Sequence, residues 1–421
     1  MKFAKLSLVA ALALSATSAF AIENVKVDGQ AVLYYQTIDS AAVKGNDLFN
    51  KSNTLTNGVV NTGTTANVGV TVGVTADLGA GFGAGARGYY LDTLGLEGNL
   101  VNGVQQIGDV NDPVGGSGWL GEGYITYSFG NTFIKAGRQE LNTPFAFTET
   151  WNVFPTTFDA TVVVNKDIQD TTLVGAFVAE RNTHLNMDEF GKIGATAGTV
   201  GANQAIGNGA YLLAAHYTGI KKTNLNGYVY NLRSLAKAYW FDAETSFAGT
   251  DVFKGVNFKI AYAQVDPEGG SETEAVSAEI ATKVSNVDLS AAYSNVGTGT
   301  LGIYNLAGAG VKTNLYTSNA YGYGDESGAT DTKSWKVKAA TDIMGVNTTA
   351  QYSVYDHGNS AGGGMVFGPV AGVEAKNFEL ILEKKIAEVD FLVAYMYTDN
   401  VTFTNAAGEA DTVRFVARYN F

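Results

Sequence analysis

The sequence has no cysteine, only 5 prolines, 4 tryptophans and 3 histidines, and no long hydrophobic run after Ala21. Without cysteine there is no disulfide scaffold and no thiol-ligated zinc or iron–sulfur site. Without an uncharged apolar run of spanning length, a retained transmembrane helix is excluded. A membrane location would then require a closed β-barrel, because only helices and barrels satisfy every backbone group in lipid. Positive charge is scarce as well. The 27 basic residues face 40 acidic ones, a formal charge of −13, which argues against nucleic-acid binding. His184, His216 and His357 lie far apart without ligand spacing, and nothing nominates a catalytic His–carboxylate pair.

What is present is glycine and aromatic side chains: 51 Gly, 22 Tyr and 22 Phe. These suit twisted strands with aromatic girdles. The mean hydropathy of +0.02 is that of a soluble protein, but a water-filled barrel is polar on half of its strand positions. Lys2 and Lys5, an apolar stretch from Leu6 to Ala13 and the small-x-small Ala19-Phe20-Ala21 form a secretory signal peptide. Residues 1–21 are thus expected to be removed, leaving 22–421 as one domain. Loss of Lys2 and Lys5 leaves 25 basic residues against 40 acidic ones, a net charge of −15. In a pore such a balance enriches cations.

At the other end Val413, Phe415, Ala417, Tyr419 and Phe421 share one parity, while Thr412, Arg414, Arg418 and Asn420 hold the other. A strand sends alternate side chains to opposite faces, so one face is apolar and the other wet. A last strand closing on Phe415, Tyr419 and a terminal Phe421 resembles the assembly signal of bacterial outer-membrane barrels. That resemblance implies the barrel-assembly machinery as a partner and outer-membrane lipid as surroundings.

The alternation recurs along the chain. Val68, Val70, Val72, Val74, Ala76 and Leu78 alternate with polar or small residues, Gly79-Ala80-Gly81 turns the chain, and Phe82 to Tyr90 returns. The count is about eighteen strands of about 8–13 residues, near the ~9–11 that a tilted barrel strand needs, with sixteen as the alternative. Short turns, such as Ser285-Asn286 and Met344-Gly345, alternate with long connections such as 37–65, 92–118, 140–158, 181–207 and 296–332. Short turns at the periplasmic rim and long loops outside form the pattern of an all-β transmembrane antiparallel barrel. All five prolines fall in predicted loops. Two places fit badly: Lys237 shares a face with Tyr239 and Phe241, and the connection near 231–234 is unexpectedly short. A Lys or Arg facing mid-bilayer lipid costs ~2–4 kcal/mol, so Lys135, Lys259, Lys336, Lys338 and Arg414 should face water.

The third long connection, Glu140 to Phe158, carries Pro144, Pro155, Phe145, Phe147, Trp151, Phe154 and Phe158. So many aromatics need burial, either in the lumen, where the loop narrows the channel, or over the rim. Gly137-Arg138-Gln139-x-Leu141-Asn142-Thr143-Pro144, Phe154-Pro155-x-x-Phe158 and the terminal Phe421 resemble the Campylobacter-type major outer membrane porins and the wider OprD-like porin family. The resemblance implies an eighteen-stranded barrel, often trimeric, with the third loop folded into the lumen, and gives Thr143-Pro144 and Phe154–Phe158 a constriction role. Glu140, Glu149, Trp151 and Asp159 join that candidate set. Arg87, Lys135, Arg138, Arg414 and Arg418 are the expected basic lumen residues. Acidic and basic groups facing each other would impose a transverse field; equally, each could simply be solvated.

Enzymatic readings fail. Gly83 to Gly88 matches GxGxxG but lies inside a strand with no helix after it. The acidic groups at 109–112 and 325–326 are candidate calcium ligands, with solvated loop charge as the simpler reading. The expectation is a general-diffusion porin of the outer membrane, cation-preferring, passing ions and small hydrophilic solutes. A substrate-selective channel, an adhesin or a soluble secreted all-β protein are the alternatives, with surface binding by loops such as 296–332 as an added role.

Overall fold

In the computed structural model the described residues are 22–40, 48–49, 54–56, 59–61, 64–92, 116–183, 187–193, 209–250, 252–308, 312–321, 326–362, 371–403 and 406–421. The expected signal peptide lies outside them, as do acidic residues 109–112 and 325. One sheet of nineteen segments forms the wall; one segment is the two-residue Gly191–Lys192, and the other eighteen close a cylinder. In chain order these are β1 (Glu23–Ser40), β2 (Thr64–Gly79), β3 (Phe82–Asp92), β4 (Ser117–Phe129), β5 (Thr132–Gln139), β6 (Phe158–Asn165), β7 (Thr171–Arg181), β8 (Ala210–Tyr217) and β9 (Thr223–Leu232). There follow β10 (Ala236–Phe247), β11 (Phe253–Pro267), β12 (Thr273–Val284), β13 (Val287–Val296), β14 (Thr330–Ile343), β15 (Val346–Gly362), β16 (Glu374–Ile386), β17 (Val389–Phe403) and β18 (Ala406–Asn420).

Each strand pairs antiparallel with its neighbours, and β18 closes on β1 through Gln30↔Asn420 up to Ser40↔Ala410. Closure removes both sheet edges, which lipid demands. The eighteen expected strands are all present. Many run further outward than expected; β1 has 18 residues and β15 has 17. Those extensions stand clear of the apolar belt, so their sequence need not alternate.

Parity sorts the side chains. Ile125, Leu213, Val229, Phe241, Phe258, Ile260, Val276, Ile280, Trp335 and Val337 are exposed on the outer face. That exposure is the lipid contact of a barrel. Lys259, Lys336 and Lys338 have the opposite parity and face inward, as expected; Lys259 pairs with Glu279 at 3.0 Å, and Lys336 donates to the Ser318 carbonyl at 2.7 Å. The periplasmic turns are tight. Met344 and Gly345 both take positive φ (55° and 77°), the geometry that two-residue hairpins require.

The misfits resolve at the outer rim. Only residues 233–235 join β9 to β10, and 268–272 join β11 to β12, so the rim is low over these strands. Lys237 does point outward, but it lies one rung below that rim, between Asn231 and Asp266 in register, and reaches water there. Its neighbour Trp240 turns inward and donates to Asp242 at 2.9 Å. Pro267 is not in a loop as expected. It is the last residue of β11, opposite Ala236, where a missing N–H costs the ladder little.

Two of the three apolar clusters among the described residues hold loop 3 against the wall. The larger joins Phe145 and Ala146 of loop 3 (residues 140–157) and Ile303, Leu306 and Leu315 of loop 7 (297–329) to the wall. There the wall is built of small residues, Ala214, Ala238, Ala261, Ala263 and Ala275, which leave depth for loop side chains. The second cluster packs Val153 and Phe154 of loop 3 on Val32, Tyr34, Tyr89 and Leu91. Gly69 is the notch that admits Phe154: a Cβ there would lie 2.4 Å from the ring.

Candidate channel constriction

Loop 3 leaves β5, makes a short ladder (Asn142–Thr143 with Ala146–Phe147) around Pro144, and returns to β6. Thr143 Oγ1 donates to the Ala146 carbonyl at 2.9 Å and closes that turn. Phe145 drives into the wall, edge-on to Tyr230 and Trp240 at 5.4 and 5.9 Å. Phe154 contacts Tyr89 and Trp119 at 4.9 and 6.0 Å on the other side. Loop 3 is therefore held inside the barrel by an aromatic anchor on each flank, and Pro155 and the fully buried Phe158 complete its return.

Loop 7 is the second component. Asn305 and Phe147 bond both ways: Phe147 N donates to the Asn305 side chain at 3.1 Å, and Asn305 Nδ2 donates to the Phe147 carbonyl at 2.7 Å. Ala307 N donates to the Phe145 carbonyl, and Asn314 to that of Pro144. Loop 7 also leans on the wall, through Tyr316 N to Ser277 Oγ at 2.9 Å and Thr317 Oγ1 to Ser294 Oγ at 2.8 Å. The sequence reading missed this loop and gave it to surface binding. The signal was present: Ile303, Tyr304, Leu306, Leu315 and Tyr316 are as apolar as loop 3.

Two arginines of β18 hold loop 3 to the wall, and one of them, Arg414, also holds loop 7. Arg414, only 1% exposed, donates to Gln36 Oε1 from Nε and Nη2 at 2.9 and 2.7 Å, to the Trp151 carbonyl at 3.0 Å and to the Tyr321 carbonyl at 3.4 Å. Arg418 donates to Gln30 Oε1 and the carbonyls of Val153 and Asn152, at 2.9–3.0 Å. All these acceptors are neutral, and among the described residues no carboxylate lies within ion-pair distance of either guanidinium. Asp390, opposite Arg418 in register, accepts from Asn420 instead. The arginines, Thr150, Trp151 and Tyr321 line a recess of about 400 Å³ that runs to Asn347, Glu383 and Asp390.

Other expected residues sit elsewhere. Arg87 is inward and paired with Asp28 and Glu122 at 2.5 and 3.0 Å. Lys135 is inward, its ammonium 3.7 Å over the Tyr124 ring. Arg138, expected in the lumen, is not there. Register sets it opposite Gly123 and Asp159, on the face away from Lys135. Its guanidinium forks onto Asp159 at 2.8 and 3.0 Å beneath the Phe190 ring, and the bidentate pair offsets the cost of outward charge. Asp159 therefore leaves the candidate constriction too. Both errors have one cause, since Lys135 and Arg138 cannot share a face in a regular strand.

Glu149 is also displaced from its expected role. It is 3% exposed, and accepts from Trp151 Nε1 at 2.9 Å, Asn305 Nδ2 at 3.0 Å and Lys312 N at 3.4 Å. It joins the two loops rather than lining the path. Glu149→Gln should leave the reversal potential of the channel unchanged while destabilising the protein by about 1–3 kcal/mol, the cost of mispairing a buried group. Zero-current potentials and thermal melts of the variant read both effects.

Glu140 is the loop carboxylate left open to channel water. Crowding by the wall, reinforced by Glu122 and opposed by Lys135 and Arg87, raises its carboxyl above the ordinary range. A raised value means that the charge is lost sooner as pH falls. The cation-to-anion permeability ratio should therefore fall at mildly acidic pH, where ordinary carboxylates remain ionised, and Glu140→Gln should abolish that part of the fall. An unaltered pH profile of the zero-current potential in the variant would take Glu140 out of the current path.

The sequence profile for outer membrane porins of the OprD family matches residues 46–396. This chain belongs to the OprD family. OccK9 (OpdG) of Pseudomonas aeruginosa shares the fold with a TM-score of 0.73 at 15% identity, over 95% of this chain and 98% of that one. P. aeruginosa OpdK with vanillate gives 0.72 at 14%, over 95% and 99%. OccAB4 of Acinetobacter baumannii gives 0.69 at 14%, over 94% and 98%. A comparison with curated protein sequences finds no match. The OprD-family chain is thus an eighteen-stranded channel of the bacterial outer membrane that passes small solutes and catalyses no reaction.

Proposed function

We propose that this OprD-family channel is substrate-selective, and that it favours small solutes carrying a carboxylate over unselective diffusion. The observation that carries the reading is the pair Arg414 and Arg418, whose guanidinium groups hold loop 3 through neutral acceptors, with no carboxylate within ion-pair distance among the described residues. In a confined, partly dry lumen such charge acts over the whole recess. Arg418 is the less buried of the two and is the direct partner for a carboxylate, which a guanidinium fork matches in shape. Arg414 supplies field more than contact. Trp151 and Tyr321 offer faces for an apolar or aromatic body, while Glu383, Lys384, Lys385 and Asp390 place both signs of charge further in. One protein of this fold was crystallised with vanillate, a small aromatic carboxylate. The chain's acidic balance fits the earlier expectation of cation preference, but it is spread over the whole sequence, whereas the arginines stand where the loops converge.

The test is single-channel recording in a planar bilayer with sodium vanillate and, separately, its uncharged analogue vanillyl alcohol. Selective transport gives saturable block by vanillate and little by the alcohol. Current that ignores both solutes returns the protein to the general-diffusion class.

A further inference from the structure

We propose that Glu379, on the inner face of β16, is the latch that seats loop 7 on the barrel wall and so sets the width and charge of the constriction. The inference rests on reading loops 3 and 7 as the narrowest part of the path. Glu379 has no exposed surface. Its two carboxylate oxygens accept from successive backbone groups of loop 7, Ala320 N and Tyr321 N, each at 2.8 Å. The Gln351 amide, opposite it on β15, donates to the same carboxylate. A carboxylate is costly to bury, and hydrogen bonds to the charged form are what recover the cost. The wall alone gives no reason for a charge here, because at neighbouring inward positions it uses Ser353 and Asn377. Two consecutive N–H groups converging on one anion form a nest, an arrangement that fixes the backbone carrying them.

What that backbone carries is the constriction. The Tyr321 carbonyl accepts from Arg414, and the Tyr321 ring lies 5.3 Å from the same guanidinium. Arg414 in turn holds the Trp151 carbonyl of loop 3. A line of contacts therefore runs from Gln351 through Glu379 and Tyr321 to Arg414 and both loops. Upstream, loop 7 crosses β12, β13 and β14 on Ser277, Ser294 and Lys336. Among the described residues Glu379 is the next hold along loop 7, at the residues that meet Arg414. Without it residues 320–321 lose their seat, and the Arg414 guanidinium loses one fixed acceptor.

The experiment uses the full-length protein in planar bilayers. Glu379→Gln leaves one oxygen to serve two N–H groups and turns an NH2 toward one of them. Conductance in KCl is expected to rise by about twofold or more, with frequent switching between levels, as the narrowest part of the path widens. Ala320→Pro removes one donor from the loop side without touching the wall, and should give a smaller change of the same kind; it carries the test if Glu379→Gln does not fold. A re-tethering arm uses the absence of native cysteine. Ser294→Cys and Thr317→Cys, whose hydroxyls are 2.8 Å apart in the native chain, supply the pair to be crosslinked by oxidation. Added to Glu379→Gln, the oxidised pair should restore native conductance and reductant should abolish the rescue, which simple loss of stability would not show.

Native conductance and noise in folded Glu379→Gln or Ala320→Pro would overturn the latch, as would failure of the crosslink to restore conductance. The solute test is separate. If vanillate does not block the native channel the carboxylate reading falls, while the KCl conductance still decides the role of Glu379.

Discussion

Arg414→Met is expected to open the channel and abolish most of its discrimination. The guanidinium makes four hydrogen bonds, to Gln36, Trp151 and Tyr321, and bonds to charged groups contribute about 1.5–3 kcal/mol each when removed singly. They do not add, because a buried guanidinium facing neutral acceptors also bears a desolvation cost. A net loss of about 1.4–2.8 kcal/mol at the site would weaken vanillate block by about 10- to 100-fold. Methionine keeps much of the length and the apolar stem, so the rise in conductance reports the lost ties between loops rather than a cavity. Arg414→Lys separates the two roles. An ammonium keeps the charge but cannot span three acceptors with one planar fork, so selectivity for anionic solutes should largely survive while current noise grows. Single-channel records of both variants, with and without vanillate, measure the two effects independently.

Gly29→Val is expected to prevent much of the protein from closing its barrel. Gly29 and Phe421 exchange backbone hydrogen bonds at 2.8 and 3.0 Å across the β1–β18 seam, and the Phe421 ring lies over the glycine. A Cβ at Gly29 would be 2.4 Å from two ring carbons and 2.8 Å from the Thr71 carbonyl oxygen. The ring can swing away, but the Thr71 backbone cannot, so the clash is not relieved by one rotamer change. Overpacking of this kind costs about 1–3 kcal/mol, and here it falls on the rung that joins the chain ends. The folded, heat-modifiable fraction in outer-membrane preparations should drop several-fold. Gly88→Ala, where a Cβ meets nothing within 4 Å, is the matched control and should fold normally.

These two sites show how far the sequence could be read. The Phe415, Tyr419 and Phe421 parity was legible because lipid enforces alternation, and a one-residue slip would reverse every side chain. Gly29 was not, since its partner lies 392 positions away and only the closed seam brings them together. Lumen charge was legible where parity was respected, as at Lys135, Arg414 and Arg418, and misread at Arg138, where it was ignored. Loop 3 gave itself away by its aromatics. The constriction as a whole did not, because Glu149, Asn305, Glu379 and Gln36 are ordinary polar residues. Their meaning comes from contacts between distant chain segments, from 58 positions apart for Glu379 and Tyr321 to 378 for Gln36 and Arg414, which no local pattern encodes. Glu149 was misplaced for the same reason: an acidic residue in a predicted channel loop reads as lining until its buried partners are known.

The union of loop 3 with loop 7 also has a bearing on biogenesis. Phe147 and Asn305 are 158 positions apart, so the inner collar cannot form until the hairpins carrying its second half have been delivered. Without β18 one edge of β1 has no partner, so a chain that ended early could neither close its wall nor brace loop 3. Closure of the wall and narrowing of the bore are therefore decided together, by contacts that both need the last third of the polypeptide.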